Sequence, residues 1–326
     1  MMKVNELKKE LADGVVRSAY LFYGEEGYLV LHYINQIKGL LLPDSTLADF
    51  NLSVFDKMDL EAIGEYVKTP PVFAERKLLI VKDTGLFKTP RAEDKEYWEA
   101  ALSDIPPYLC ILFAETAIDK RQKKLLSLVE KNGAVVEFKY MEEAQLKSWM
   151  NILIRQRGKK ITVKNMDYLL SCCGTQMEHI EHEVDKLCSY AEGEAIDKQK
   201  IDELVAKPVE NRIFDLANAI LQKRPNIAFA ILLDLKSLRE SPIKIVSILS
   251  KNFCDIYKVA KATAPTPQST GLHPYVLKLH QRTASAVPEK KLAGMIALSA
   301  SADLKLKSST ADEWLLLEEY VAALME

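Results

Sequence analysis

The first candidates for chemistry are four consecutive residues, Gly24, Glu25, Glu26 and Gly27, which directly follow a short apolar run. A glycine-containing turn between a strand and a helix is where many proteins hold nucleotide phosphates with backbone N–H groups. That motif places its glycines five positions apart and follows the second with Lys and then Ser or Thr. Here the glycines are three apart, and the first lysine after Gly27 is Lys38. We therefore predict a degenerate, non-functional nucleotide loop.

Two acidic residues could supply the Mg²⁺ ligand that phosphoryl transfer requires. Asp83 follows the apolar run 78–81, and Glu115 follows the apolar run 109–113. Acidic residues are common at strand ends, and no loop lysine accompanies these two. We expect neither to be catalytic, and we expect no catalytic residue in the chain.

A histidine pair within a charged stretch is the remaining candidate for metal binding. His179 and His182 are three residues apart, so one face of a helix could present both. The residue after His179 is Ile180, so the zinc-protease pattern H-E-x-x-H is absent. A solvated, charged helix face explains the pattern better, and we expect neither a metal nor a cofactor.

A different kind of site is suggested by residues 69–76. Pro70 and Pro71 cannot continue the preceding helix and favour an extended backbone. Val72 and Phe73 then lie on a short, stiff connection, and stiffness lowers the ordering cost of binding. The spacing alone leaves two alternatives open: Phe73 folds back onto the core, or it projects as an anchor for a partner.

The elements that position these residues alternate between short apolar runs and amphipathic stretches. Strands are predicted at 19–23, 50–55, 78–81, 109–113 and 134–138, and helices at 28–41, 59–68 and 121–131. Strands separated by helices are typical of a doubly wound, parallel α/β domain.

After residue 141 the pattern becomes helical, and we predict no further strand. Helices are predicted at 142–157, 163–172, 176–191, 197–206, 242–263, 273–286, 288–306 and 310–325, with a linker at 263–271. The last helix carries an apolar stripe of Trp314, Leu317, Val321 and Leu324. Pro208 marks a break, so the predicted domains are 1–141, 142–210 and 211–326. The predicted fold class is α/β plus all-α.

Composition narrows the possible functions. The 326 residues include 44 Lys or Arg and 46 Asp or Glu, a net charge of −2, which argues against a direct DNA-binding module. No apolar run approaches the roughly 20 residues that span a bilayer, so we expect no membrane contact. The five cysteines form no C-x-x-C pair, which is typical of reduced thiols and a cytoplasmic protein.

Five stretches, in this order, resemble one family, the delta subunit of the bacterial DNA polymerase III clamp loader. They are 20–26 (YLFYGEE), 71–82 (PVFAERKLLIVK), 109–114 (LCILFA), 210–216 (ENRIFDL) and 271–276 (GLHPYV). Each motif is degenerate, whereas their joint order is specific. The resemblance runs from about residue 17 to about residue 325.

The resemblance implies an AAA+-like α/β domain with a non-functional nucleotide site, a small helical lid domain and a helical collar that assembles with other subunits. The family's clamp-binding element is a Leu-Phe pair, which maps onto Val72 and Phe73, supported by Pro70, Pro71 and Ala74. Valine at the first position is a departure from the family pattern and shortens that anchor by one methylene. The stripe on the last helix would belong to the collar.

The function implied by this resemblance is a non-catalytic subunit of the DNA polymerase III complex, whose enzymatic activity is DNA-directed DNA polymerase. Its implied partners are the sliding clamp (beta subunit) and the other clamp-loader subunits (gamma/tau and delta prime), and ATP would be hydrolysed by sister subunits. DNA would be contacted weakly or only within the complex. The alternatives are an ATPase on the same fold, which the missing lysine opposes, and a DNA-binding module, which the near-neutral charge opposes.

Overall fold

The computed structural model describes residues 1–44, 46 and 50–326, and its first compact unit comprises residues 1–140. The strands of this unit are β1 (Ala19–Tyr23), β2 (Leu52–Phe55), β3 (Lys77–Lys82), β4 (Leu109–Glu115) and β5 (Gly133–Glu137). The helices described in it are α1 (Val4–Ala12), α2 (Gly27–Leu41), α3 (Leu60–Lys68), α4 (Ala92–Ser103) and α5 (Lys123–Asn132). All neighbouring strands are parallel, in the order β2-β3-β4-β1-β5.

The central strand β1 explains why both faces of the sheet are covered. Its five residues are all buried, and successive side chains point to opposite faces. Tyr20 and Phe22 pack with α1 and α2 on one face. Ala19, Leu21 and Tyr23 pack with α3, α4 and α5 on the other. The predicted doubly wound α/β domain is therefore confirmed, and the carboxyl ends of the strands lie at one edge of the sheet, next to the turn at Gly24.

The structure departs from the predicted elements at three places in this unit. The second strand begins at Leu52 rather than at residue 50, because Asn51 is still helical. Helices α1 and α4 were not predicted. Helix α4 buries only Trp98 and Leu102, and α1 buries only Leu7 and Leu11, so neither has an apolar stripe long enough to recognise.

The second compact unit comprises residues 141–326 and is mainly helical. Its helices are α6 (Glu143–Gln156), α7 (Val163–Cys173), α8 (Met177–Tyr190), α9 (Lys198–Leu204), α10 (Val209–Leu221), α11 (Pro225–Ser237), α12 (Pro242–Lys261), α13 (Pro267–Thr270), α14 (Pro274–Ala286), α15 (Glu289–Ser308) and α16 (Glu313–Met325). Two short strands, β6 (Lys160–Ile161) and β7 (Ala195–Ile196), pair in parallel, so the prediction of no strand after residue 141 was wrong. The predicted linker at 263–271 contains α13.

The largest core of the second unit draws its buried members from residues 213–324, on α10, α11, α12, α15 and α16. Helices α6, α7, α8 and α9 pack mainly among themselves, α6 against α8 and α9 against α7 and α8. The further division at residue 210 stays a prediction. In the described part of the chain, no helix has both the length and the apolar character to cross a membrane.

Candidate functional site

The turn after β1 uses its backbone donors within the protein. The N–H of Gly24 donates to the carbonyl of Glu115 at 3.3 Å, and the N–H of Glu26 donates to the carbonyl of Phe138 at 3.1 Å. The N–H of Gly27 donates to the carbonyl of Glu25 at 3.2 Å. A phosphate loop must direct such N–H groups at its ligand. Three of the donors that this turn could offer are therefore already engaged.

Gly24 has a packing reason to be glycine. Its φ is +129°, a conformation that side chains strongly disfavour. A Cβ atom built on Gly24 would lie 2.2 Å from the carbonyl oxygen of Phe138. The glycine is needed so that the turn can pass the segment that follows β5, whether or not a ligand is present.

Glu26 adds an unfavourable group for any phosphate. It immediately precedes α2, and only 6% of the residue is exposed. Burial raises the pKa of its carboxyl to about 7, although the N–H of Tyr28 partly stabilises the charged form. When ionised, a buried carboxylate at this place would repel a triphosphate.

The two acidic residues at strand ends, Asp83 and Glu115, line a cleft of about 200 Å³ beside the turn, but both are bonded to nearby loops. The carboxylate of Asp83 accepts from the N–H and the hydroxyl of Thr116 at 3.1 and 2.8 Å. Glu115 is buried, accepts from the hydroxyl of Thr84 at 3.1 Å and from the N–H of Gly85 at 3.3 Å, and has its pKa raised by burial. These contacts join the loops that follow β3 and β4.

The connection between α3 and β3 presents the opposite situation, because it exposes a large apolar side chain. Phe73 is 90% exposed, and Val72 beside it is 37% exposed. Phe73 also has a φ of +50°, which costs a non-glycine residue roughly 1–2 kcal/mol. The connection is thus extended at Thr69 but turns at Phe73, where the proline argument predicted extended backbone throughout. Of the two alternatives left open above, the structure shows projection.

Three side chains fasten this connection to the rest of the unit. The first is Asn51, which is fully buried. Its Nδ2 donates to the carbonyl of Val72 at 2.8 Å, and its Oδ1 accepts from the N–H of Val72 at 2.7 Å. Both hydrogen-bonding groups of Val72 are therefore held by one amide side chain.

The second fastening is Lys77, the first residue of β3. Its buried ammonium donates to the carbonyls of Tyr66 and Thr69, which end α3. It also lies over the rings of Tyr66 and Tyr108, 4.2 and 5.5 Å from their centroids. Burial lowers the pKa of Lys77. This cation satisfies the last carbonyls of the helix and fixes where the connection begins.

The third fastening is Arg76, at the other end of the connection. Its guanidinium donates to the carbonyl of Val16 at 2.8 Å and to the carbonyl of Arg17 at 3.1 Å, just before β1. Of the predicted supporting residues, Pro70 is exposed, whereas Pro71 and Ala74 are half-buried. Phe73 thus projects from a segment that is held at its start, its middle and its end.

The predicted metal candidates are placed on α8 without converging. His179 is half-buried and His182 is exposed. Within the described residues, no group of three or more His, Cys, Asp or Glu could hold a metal ion. The buried acid of this stretch is Glu183, which accepts from the N–H of Ala206 at 3.1 Å and pairs with Lys186 at 2.7 Å. It connects α8 to the segment after α9.

The stripe predicted on the last helix lies inside the second unit. Leu317, Val321 and Leu324 are buried in its main core, and Trp314 packs against that core with the ammonium of Lys236 5.3 Å from its ring centroid. These side chains stabilise the unit's own helices. The stripe therefore offers little exposed apolar surface to another protein.

Sequence reasoning did not identify Asn51, Arg76 or Lys77 as part of the site. Their partners are main-chain carbonyls and N–H groups 8 to 60 residues away, and such pairs leave no spacing pattern. The one available signal was a polar residue, Asn51, within a predicted apolar strand.

Comparison with known proteins connects these observations to one family. A family model described as "DNA polymerase III, delta subunit" matches residues 20–139, and one described as "DNA polymerase III delta subunit, C-terminal domain" matches residues 210–324. Together they cover more than half of the chain.

Individual relatives agree with this assignment. DNA polymerase III subunit delta of Bacillus subtilis is 27% identical over 99% of this chain and 97% of its own length. The probable DNA polymerase III subunit delta of Aquifex aeolicus is 19% identical over 74% of this chain and 70% of its own length. The solved structure of the Bacillus subtilis DNA clamp loader delta protein (YqeN) covers 99% of both chains with a TM-score of 0.80 and 26% identity. The chain described here belongs to the DNA polymerase III delta subunit family of clamp loader proteins.

Proposed function

We propose that this chain binds and opens the sliding clamp within a clamp loader, so that the ring can be placed on primed DNA. The observation that carries this proposal is the 90% exposure of Phe73 on a fastened connection. Exposing an aromatic side chain to water is unfavourable, and a partner pocket would offset that cost. Val72 adds a smaller apolar surface next to it.

The same proposal holds that the chain neither binds ATP tightly nor hydrolyses it. The engaged N–H groups of Gly24, Glu26 and Gly27 support this, as does the buried carboxyl of Glu26. Energy for loading would come from sister subunits that hydrolyse ATP. If Mg²⁺–ATP at millimolar concentration raised the melting temperature of the purified chain, this part would be wrong.

Assembly with the gamma/tau and delta prime subunits is proposed for residues 211–326. Because the stripe on α16 is buried, the contacts would use exposed apolar side chains such as Leu233 on α11 and Leu304 on α15, which are 64% and 68% exposed. Leu233→Asp and Leu304→Asp should weaken assembly of the loader and leave clamp binding intact. Normal assembly of both variants would contradict this use of the surface.

We further propose that the loader works in the cytoplasm. All five cysteines are free thiols, and free thiols are typical of proteins in that compartment.

The decisive experiment measures two properties of the intact chain without ATP. Binding to purified sliding clamp is followed by isothermal titration calorimetry, and ring opening is followed as release of labelled clamp from nicked circular DNA. The proposal expects both binding and release. If the chain does not bind the clamp, the proposal fails. Binding without accelerated release would leave a docking subunit that does not open the ring.

A further inference from the structure

Asn51 makes a contact that resembles a rung of a β-sheet. Its side-chain amide donates to the carbonyl of Val72 at 2.8 Å and accepts from the N–H of the same residue at 2.7 Å. The amide side chain of Asn carries both a hydrogen-bond acceptor and a hydrogen-bond donor, as a backbone peptide group does. Asp lacks the donor, and Leu, which has a similar shape, lacks both groups.

The position of this contact matters because of the residue that follows. The carbonyl of Val72 belongs to the peptide plane that joins Val72 to Phe73. Rotation about the bond that follows this plane is the φ angle of Phe73, which is +50°. By holding the plane, Asn51 restricts the angle that decides where the phenyl ring points. A strained angle of this kind persists only where the surrounding structure determines it.

Asn51 is itself attached to the sheet. It immediately precedes β2, and residues 52–55 of that strand pair in register with residues 78–81 of β3. The hydrogen bonds therefore link the strained turn at Phe73 to the regular ladder of the sheet. Lys77 and Arg76 hold the two ends of the connection, and Asn51 is the contact nearest to Phe73 along the chain.

We propose that Asn51 is a positioning residue for clamp binding: through its two hydrogen bonds to Val72, it holds Phe73 in the orientation that enters a pocket on the clamp. Asn51 is fully buried, so its side chain is not exposed for direct contact with a clamp. Its effect on affinity is transmitted through Phe73. This inference rests on the proposed function and identifies the residue that preorganises its anchor.

The test is a double-mutant cycle in the full chain, with affinity for purified sliding clamp as the readout. Asn51→Ala should weaken binding about tenfold, which corresponds to about 1.4 kcal/mol. Phe73→Ala should weaken it more. In the Phe73→Ala background, Asn51→Ala should then change affinity by less than twofold, because the orientation that it controls no longer matters. An additive tenfold loss in that background would overturn the proposal.

A second readout separates positioning from general stability. Asn132 is a matched control, since its side-chain amide also makes two hydrogen bonds, to the carbonyls of Leu102 and Leu128 at 2.7 and 2.9 Å. Asn132→Ala should lower the melting temperature about as much as Asn51→Ala, with no loss of clamp affinity. If both variants lost affinity equally, Asn51 would have only a structural role.

Hydrogen exchange tests the contact even if Asn51→Ala folds poorly. In the unmodified chain, the amide of Val72 should exchange slowly although the residue is exposed, because it donates to Asn51. Rapid exchange there would overturn the proposal. Asn51→Ser, which is too short to reach both groups, should accelerate exchange at residues 71–76 and leave β1 unchanged.

The outcomes also distinguish this inference from the function on which it rests. If Phe73→Ala keeps full affinity, the proposed clamp-binding site is wrong. If Phe73→Ala loses affinity and Asn51→Ala does not, only the positioning role is wrong.

Discussion

Two connections in the same α/β unit differ in the chemical groups that they leave available to a ligand. The turn 24–27 lies at the carboxyl end of β1, where ligands of doubly wound sheets usually bind. The backbone N–H groups of Gly24, Glu26 and Gly27 donate to the protein's own carbonyls. The connection 69–76 lies before β3 and has its polar groups fixed by Asn51, Lys77 and Arg76, yet it leaves Phe73 in solvent.

The difference lies in which groups each connection leaves unsatisfied. At the first connection, three backbone N–H groups already have acceptors within the protein and would have to give them up to bind a phosphate. At the second, satisfied polar groups make the backbone stiff, and the unsatisfied surface is apolar. The location of a connection in the fold therefore says less about its function than the chemistry that it leaves exposed.

The substitution Phe73→Ala tests most directly whether the exposed apolar surface of the second connection binds the clamp. Truncation of an aromatic anchor in an interface typically costs about 2–4 kcal/mol, so clamp affinity should fall roughly 30- to 1000-fold. Because Phe73 is exposed, the melting temperature should not fall. Calorimetric titration and thermal unfolding of the same variant measure both. Tyr190→Ala, which removes another exposed aromatic residue, serves as the control and should keep full affinity.

The next largest effect is expected for Gly24→Ala. The added Cβ would lie 2.2 Å from the carbonyl oxygen of Phe138, and φ at Gly24 is +129°. We expect a loss of about 3 kcal/mol in the free energy of unfolding, measured by urea denaturation. Gly27→Ala is the matched control, because its Cβ would meet no atom within 4 Å, and it should be neutral or slightly stabilising. Equal tolerance of both substitutions would show that packing does not require Gly24.

Glu26→Gln tests the charge of the same turn and should stabilise the protein. Burial raises the pKa of Glu26 from 4.5 to about 7, so the folded protein bears the cost of a buried carboxylate above pH 7. That cost shrinks as the pH falls from 7 towards 4.5, because the folded state takes up the proton first. The variant should gain about 2 kcal/mol at pH 8 and almost nothing at pH 4.5. A gain that does not depend on pH would contradict this origin.

The smallest expected effect belongs to Val72→Ala. The substitution removes two methyl groups from a side chain that is only partly exposed, and we expect a loss of about 1 kcal/mol, or roughly fivefold in clamp affinity. Both hydrogen bonds to Asn51 use the backbone of Val72 and should survive. A loss as large as that of Phe73→Ala would mean that the two side chains enter the clamp as one unit. Val72→Leu, which lengthens the side chain by one methylene, should strengthen clamp binding.

The sequence was sufficient for the parts of the fold that rest on continuous apolar runs. Strands such as 78–81 and 109–113 are buried on both faces, so their composition alone identified them. Helix α4 was not predicted from the sequence, because it buries only two residues. The stripe Leu317, Val321 and Leu324 was recognised as apolar, but the sequence could not say whether it faces its own core or a partner.

For the candidate site, projection of Phe73 was one of two alternatives that the sequence left open, and the contacts that hold the connection were missed. Two prolines and a family motif singled out Val72 and Phe73, and their role in clamp binding stays a prediction. The left-handed turn at Phe73 could not be foreseen, since it depends on hydrogen bonds between Val72 and Asn51, 21 residues earlier. Long-range contacts of side chains with the main chain are set by the packed fold and have no local signature in the sequence.

The three fastenings of the connection have a consequence for the rate of association. A binding segment that must first order itself slows encounter, whereas one that is already held docks at rates on the order of 10⁵–10⁷ M⁻¹s⁻¹. In the proposed complex, loss of the phenyl ring should leave this rate almost unchanged, because the backbone is still held, and should shorten the lifetime of the complex instead. Loosening the backbone at Asn51 slows capture as well. If the proposed function holds, the phenyl ring of Phe73 would govern the residence time of the clamp on this subunit, and the amide of Asn51 would govern the speed of its capture.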